Sequence, residues 1–315
     1  MEFDLIARIR ARAGTRGDVV LGIGDDAALL QVPADRQLAV SMDTLNAGVH
    51  FPEDTAPAAI GWKALAVNLS DLAAMGAQPA WCTLSLSLPQ ADPAWIDGFL
   101  DGFLSLAERH GVALVGGDTT RGALSVGVAV HGLVAPGRAL RRDGARVGDE
   151  IWVTGSLGDA AAALAAQLAG AALDRGLRER LDRPTPRVEA GLALSDIAGA
   201  CIDVSDGLLA DLGHVCAASG VGAEVELERL PASPALARFP AATRWPWQAG
   251  GGDDYELCFT ASPERRDAVL QAMASVATPV ACVGRIVGGA EVAAFGPEGI
   301  RWQAPRAGYA HFGGS

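Results

Sequence analysis

The chain has 315 residues, half of them apolar, with a net charge of −12 and a sequence pI near 4.8. That length and apolar content predict a large core divided between two domains. The acidic balance argues against nucleic acid or an anionic membrane as the main partner, and any bound phosphate would need metal ions between the two sets of negative charge. The opening MEFDLIARIRARAG alternates charged and apolar residues, which reads as an amphipathic helix over 3–13 and carries no secretory core segment. In VVLGIGDDAALL, Gly22 and Gly24 lead into the adjacent carboxylates Asp25 and Asp26, a turn whose bland explanation is a solvated acidic tip. Residues 36–45 read as a strand running into a polar end. Residues 58–76 read as a helix, a break at Asn68–Asp71 and a second helical start. A strand over 80–88 and a helix over 93–111 ending at Gly111 follow. VALVGGDTTRG then predicts a strand, a glycine turn and an aspartate, before another strand over 124–134.

The stretch 135–150 is rich in Gly, Pro and charge and marks a domain junction, with the boundary set between 137 and 138. Beyond it, IWVTGSLGDAAAALAAQL predicts a strand, a glycine turn and a long helix. Residues 200–220 repeat that order, and AGGGDDYELCFTA (249–261) and VACVGRIV (280–287) close the pattern. Strands alternate with helices on both sides of the junction, so the class is α/β or α+β. NLSDLAAMG and DVSDGLLADLG echo each other, each setting Ser-Asp before a helical run, where N-capping is the simplest explanation.

Cys82, Cys201, Cys216, Cys258 and Cys282 lie far apart without a CxxC pair, which predicts buried thiols in a reducing cytoplasm. The alanine-rich stretch Ala160–Leu173 is too short to span a bilayer. Lys63 is the single lysine among 25 Lys and Arg residues. That excludes both the P-loop lysine and the strand lysine of protein kinases, and a helix-borne Lys63 is expected to snorkel.

Asp25, Asp26, Asp43, Asp71, Asp118, Asp203, Asp206, Asp253 and Asp254 all stand where a strand-like run meets a turn. Ligands of open α/β sheets bind at such strand ends. Carboxylates gathered there repel by ~4 kcal/mol per close pair at an effective dielectric near ~20. No lysine cluster offsets this, whereas Mg²⁺ accepts oxygen-only ligands shared with substrate phosphates. Gly116-Gly117, Gly155 and Gly250-Gly251-Gly252 would let backbone N–H groups approach phosphate oxygens. The residues point to metal-assisted chemistry on a phosphorylated small molecule, with a nucleotide.

GIGDDAAL, SMDTL…GVHF, KALAVNLSDLAAMGAQP, LVGGDTTRG, IDVSDGL and GGDDYEL occur in an order that resembles the thiamine-monophosphate kinase family, over nearly the whole chain. The resemblance implies a two-domain aminoimidazole-ribonucleotide-synthetase-like fold with mixed sheets covered by helices. It assigns residues 1–137 to a metal, ATP and dimerisation domain, and 138–315 to a domain completing the nucleotide and substrate site. It further implies direct phosphoryl transfer from ATP to thiamine monophosphate by a homodimer, assisted by Mg²⁺ and usually K⁺. Magnesium ligands are implied at Asp26, Ser41, Met42, Asp43, Asp71, Asp118, Asp203 and Asp206. Nucleotide contacts are implied at Gly117, Asp118, Arg142 and Ser205, and substrate contacts at His50 and Asp253. On this view Asp26 serves a metal and Asp25 supports it or caps the turn. Asp43 and Asp118 are expected to project from sheet ends toward one cleft and to hold the metal nearest the ATP phosphates.

The chain departs from the family pattern at Met42, where Thr is frequent and only a backbone carbonyl remains to meet a metal. Asp253 stands where Glu is usual. Near Arg306 an aromatic residue commonly covers the thiamine rings, a part Trp302 or Tyr309 would have to take. Related ATP-using families differ in their cysteines: selenophosphate synthetase needs one near the N-terminus and the hydrogenase-maturation ATPase one in its tail. A non-catalytic nucleotide or metal sensor is the rival from another class, and it would release no ADP.

Overall fold

The computed structural model describes residues 2–303. The chain divides into two compact units, Met1–Leu72 with Ala77–Gly137, and Ala73–Gly76 with Arg138–Ser315.

The first unit contains, in order, α1 (Glu2–Arg12), β1 (Val19–Leu21), β2 (Leu29–Leu30), β3 (Gln37–Asn46), α2 (Pro57–Ala74), β4 (Gln78–Leu88), α3 (Pro93–Arg109), β5 (Ala113–Arg121) and β6 (Ser125–Val134). Its main sheet has the order β3-β6-β4-β5 and is antiparallel apart from the β4–β5 pair. That parallel pair needs a crossover, which α3 supplies. Asp92 starts α3 by accepting the N–H groups of Ala94 and Trp95 (2.9 and 3.3 Å), and Pro93 follows at the first helical position. Burial alternates along β3, with Ser41, Asp43 and Leu45 turned inward and Val40 and Met42 left 60% and 61% exposed. Residues of β1 and β2 cover the end of the opposite face around Trp81, Ala113 and Val115.

Two local expectations fail in this unit. α2 runs unbroken through Asn68–Asp71. Asn68 and Ser70 are fully buried, and the Asn68 side chain donates to the Ala64 carbonyl and accepts the Asp43 N–H, both at 2.9 Å. Those partners use the side-chain groups that elsewhere would favour a turn, so packing overrides local preference. Ser70 and Asp71 are therefore interior helix residues and do not start a second helix. α2 and α3 also meet at backbone distance. A β-carbon on Gly61 would collide with the Phe99 carbonyl, and one on Gly102 with the Ala58 carbonyl.

The second expectation is the glycine turn. β5 runs on through Gly116 and Gly117 instead, with an irregularity in its pairing to β4 opposite Cys82 and Thr83. Asp43 and Asp118 consequently lie within strands and not at sheet ends.

The second unit continues with β7 (Glu150–Thr154), α4 (Asp159–Leu168), α5 (Arg175–Asp182), α6 (Val188–Leu194), β8 (Ala200–Asp203), α7 (Leu208–Ser219), β9 (Gly222–Glu226), α8 (Ala241–Gly250), β10 (Leu257–Ala261), α9 (Arg266–Ser275), β11 (Val280–Val287), β12 (Val292–Phe295) and β13 (Arg301–Trp302). Its sheet has the order β13-β12-β9-β11-β7-β10-β8, with β12–β9 the parallel pair. One core joins the apolar residues of this sheet to Leu208, Leu212 and Val215 of α7. Another packs the small side chains Ala160, Ala162 and Ala163 of α4 against Leu177 and Leu181 of α5. Mixed sheets bearing helices make up both units, as the sequence predicts.

Candidate functional site

In the first unit, β3 and α2 bring three of the predicted metal ligands together. Ser41 Oγ donates to Asp71 Oδ2 at 2.5 Å, and Asn68 Oδ1 receives the Asp43 N–H. Burial, and then the nearby Asp71 charge, push the Asp43 carboxyl up to about 6. A carboxylate held in that state is primed for a cation, which would reverse both costs. The donors are all oxygen, the chemistry Mg²⁺ accepts. Among the described residues, no group of three or more His, Cys, Asp or Glu side chains is by itself arranged to hold a metal. Met42 turns its side chain to the exposed face, leaving its backbone carbonyl as the only group it can offer a metal.

Asp26 and Asp118 are the other predicted ligands of this unit. Asp26 is exposed, and its N–H donates to Asp25 Oδ1 at 2.9 Å, so Asp25 acts as the cap of the turn. Asp118 is exposed and accepts the Thr119 N–H at 2.9 Å. Strand register aligns Asp43 with Val128, Leu84 and Gly117, and sets Asp118 opposite Ser85. The β4–β5 pairing is irregular opposite Cys82 and Thr83, just ahead of Gly117. Gly117 has φ 144°, and a β-carbon there would collide with the Leu84 carbonyl. Only glycine lets β5 hug β4 at this point.

His50 sits in the turn after β3, where its Nδ1 accepts the Asn46 N–H at 3.0 Å. Its carbonyl accepts Lys63 Nζ at 3.0 Å, and Lys63 is only 2% exposed. Lys63 therefore does not snorkel; its ammonium is buried and fastens the His50 turn.

In the second unit, Asp203 ends β8 and is buried, while Ser205 and Asp206 follow in the turn before α7. Neither Ser205 nor Asp206 caps the helix with its side chain. Instead Asp211, in the first turn of α7, accepts the N–H groups of Ser205, Asp206 and Gly207 on one oxygen at 3.0, 3.1 and 3.1 Å. Burial raises the Asp211 carboxyl to about 7, against the pull of those donors. An acidic residue in the first turn of a helix was the available sequence signal for Asp211. Asn68, hidden in a continuous apolar run, offered none.

Asp253 and Tyr255 lie in the turn preceding β10, with φ 67° and 51°. Left-handed backbone at non-glycine residues costs on the order of 1–3 kcal/mol each and persists only where the surroundings enforce it. The enforcement is visible. The Asp253 and Tyr255 N–H groups donate to the Ser205 and Val204 carbonyls (2.9 and 2.8 Å), and Tyr255 Oη donates to Asp253 Oδ1 at 3.0 Å. The alternate residues turn into the protein. Asp254 is buried and takes the Gly158 N–H on both oxygens at 3.0 and 2.9 Å. Fully buried Glu256 pairs with Arg180 at 2.8 Å and with Arg187 at 2.5 Å. Arg142 is exposed, its carbonyl accepting from Ser219 Oγ at 2.8 Å. Trp302 is half-buried in β13, and Arg306 and Tyr309 lie outside the described residues.

The chain matches the AIR synthase related protein models, the N-terminal domain over residues 24–134 and the C-terminal domain over 146–296. It is 48% identical to the thiamine-monophosphate kinase of Salmonella typhimurium, across 99% of this chain and 98% of the relative. The chain belongs to the thiamine-monophosphate kinase family. Among solved members, the Stenotrophomonas maltophilia thiamine-monophosphate kinase is 55% identical with a TM-score of 0.88, covering 95% of this chain and 96% of that one. AaThiL complexed with AMPPCP and TMP is 31% identical with a TM-score of 0.78, covering 98% of this chain and 96% of that one. Thiamine-monophosphate kinase relatives thus match this chain through both units, including every segment that carries a predicted site residue within 24–296.

Proposed function

We propose that this chain transfers the γ-phosphoryl group of ATP directly to thiamine monophosphate, giving thiamine diphosphate and ADP. The observation that carries this reading is the end-to-end likeness to thiamine-monophosphate kinases, one of them complexed with AMPPCP and TMP. Phosphoryl transfer asks a protein mainly for positioning and for charge stabilisation, and needs no protein nucleophile. The acidic residues suit that task. Asp26, Ser41, the Met42 carbonyl, Asp43, Asp71 and Asp118 would hold Mg²⁺ in the first unit, with Asp43 and Asp118 on the metal nearest the ATP phosphates. Asp203 and Asp206 have the same role in the second. Magnesium supplies neutralisation of phosphate charge, with K⁺ as an expected activator.

Gly117, Asp118, Arg142 and Ser205 contact ATP on this reading, and His50 and Asp253 contact thiamine monophosphate. Residues 1–137 carry the metal, ATP and dimer functions, and residues 138–315 complete nucleotide and substrate recognition. The protein works as a cytoplasmic homodimer. Its cysteines are unpaired, and four of the five are buried. The apolar residues Val40 and Met42 exposed on β3 are suited to cover by a second copy. No helix among the described residues is long and apolar enough to cross a membrane.

The test is ADP release by the purified chain in Mg²⁺, with and without thiamine monophosphate, alongside chromatography of the thiamine product. ADP and thiamine diphosphate are expected in equal amounts, with no ADP in the absence of acceptor. Accumulation of a phosphorylated protein with ATP alone would refute direct transfer. Absence of acceptor-dependent turnover would favour a sensor.

A further inference from the structure

The turn that presents Asp253 is built in alternation. Asp253 and Tyr255 share a hydrogen bond on one side, and Asp254 and Glu256 point into the protein on the other. Two left-handed non-glycine residues, Asp253 and Tyr255, bracket Asp254. Such backbone relaxes unless something beneath it resists. Arg180, from α5, is placed to do so. Its Nη2 donates to the Asp254 carbonyl at 3.1 Å and to Glu256 Oε1 at 2.8 Å, so a single nitrogen ties the main chain of the turn to its buried side chain. Arg187 differs. It forks onto the two oxygens of Glu256 at 2.5 and 2.6 Å, and so balances the carboxylate. Thr154 Oγ1 donates to Glu256 Oε2 at 2.7 Å and accepts the Leu257 N–H at 2.8 Å, fixing Glu256 against the sheet.

We propose that Arg180 is a positioning residue for substrate binding, a clamp that holds the 253–256 turn in its strained form and thereby fixes the Asp253 carboxylate. The proposal rests on the assignment of Asp253 to thiamine monophosphate. The Nη2 amino group suits the role because its two hydrogens serve a carbonyl and a carboxylate together, on a guanidinium that stays charged. Releasing the clamp lets the turn relax and moves the carboxylate away from where the substrate needs it. Residues distant from this turn keep their places.

The test is a double-mutant cycle read through KM for each substrate, with melting temperature as the folding control. Arg180→Met is expected to raise KM for thiamine monophosphate about tenfold, the size of one lost charge-assisted contact. KM for ATP should stay within about twofold, a difference of less than half a kcal/mol. In an Asp253→Ala background, Arg180→Met should have no further effect on KM for thiamine monophosphate, because the group it positions is gone. If Arg180→Met does not fold, Arg180→Lys carries the same cycle with a smaller expected shift. An unchanged KM with a lowered melting temperature would show Arg180 to be purely structural and overturn the proposal. An equal KM increase in both backgrounds would overturn it too. If Asp253→Ala alone leaves KM unchanged, the assignment of Asp253 fails first, and the substrate role of the clamp falls with it.

Discussion

Asp118 stands exposed in β5, opposite Ser85, where it accepts the N–H of its neighbour Thr119. If it is a magnesium ligand, Asp118→Asn removes the charge that attracts the ion and keeps the shape. Turnover is then expected to fall at least ~100-fold, since ~1.4 kcal/mol in the barrier is already tenfold. Melting temperature should hold. A simple turn-cap role predicts near-normal activity across a Mg²⁺ titration, which would refute the metal assignment. Asp254 makes a prediction of another kind. Burial pushes its carboxyl well above the ordinary value, with Asp159 and Glu256 adding to the rise and Gly158 and Arg180 opposing it. The folded protein therefore binds that proton more tightly than the unfolded chain. Its stabilising contribution is complete below about pH 4 and is lost as pH rises toward the folded value. Asp254→Asn cannot titrate, so the decline of melting temperature between about pH 5 and 8 should be shallower in the variant. An identical slope would show that Asp254 is not the group responsible.

Strands and helices were largely legible because each carries its own period or its own stop signal. Pro93 after Asp92, Gly111 after α3, and the alternation along β3 all announce themselves. What could not be read was set by partners distant in sequence. Asn68 looks like a helix breaker until Asp43, 25 residues earlier, donates to it. Gly117 looks like a turn until the Leu84 carbonyl comes close enough to exclude a β-carbon. The candidate residues were legible as types, yet the sequence could not reveal that Asp71 and Asn68 of α2 meet Ser41 and Asp43 of β3. The α2–α3 contact offers a test of how far such partners dominate. Helix propensity favours Gly61→Ala by about 1 kcal/mol. The collision of the new β-carbon with the Phe99 carbonyl, which is backbone and cannot rotate away, should cost about 1–3 kcal/mol. Packing is expected to win, lowering the melting temperature by several degrees. A rise would mean that the helices separate freely.

The exposed apolar stripe of β3 bears on the assembled molecule. Val40 is 60% exposed and Met42 61%, on a strand at the edge of its sheet. A proposed homodimer that covers this face should be broken by Val40→Glu, which places a charge in an apolar contact. Light scattering at micromolar concentration is expected to give twice the chain mass for the parent and the chain mass for the variant. Equal masses would remove β3 from the interface. The single lysine opens a different experimental window. Lys63 is 2% exposed and its ammonium is bonded to the His50 carbonyl, so an acylating reagent reaches it only when α2 opens. With no second lysine side chain to acylate, the mass of one peptide reports one event. Ordinary amine chemistry, usually a blunt survey of a protein's exterior, becomes here a position-specific measure of how often the buried helix comes free.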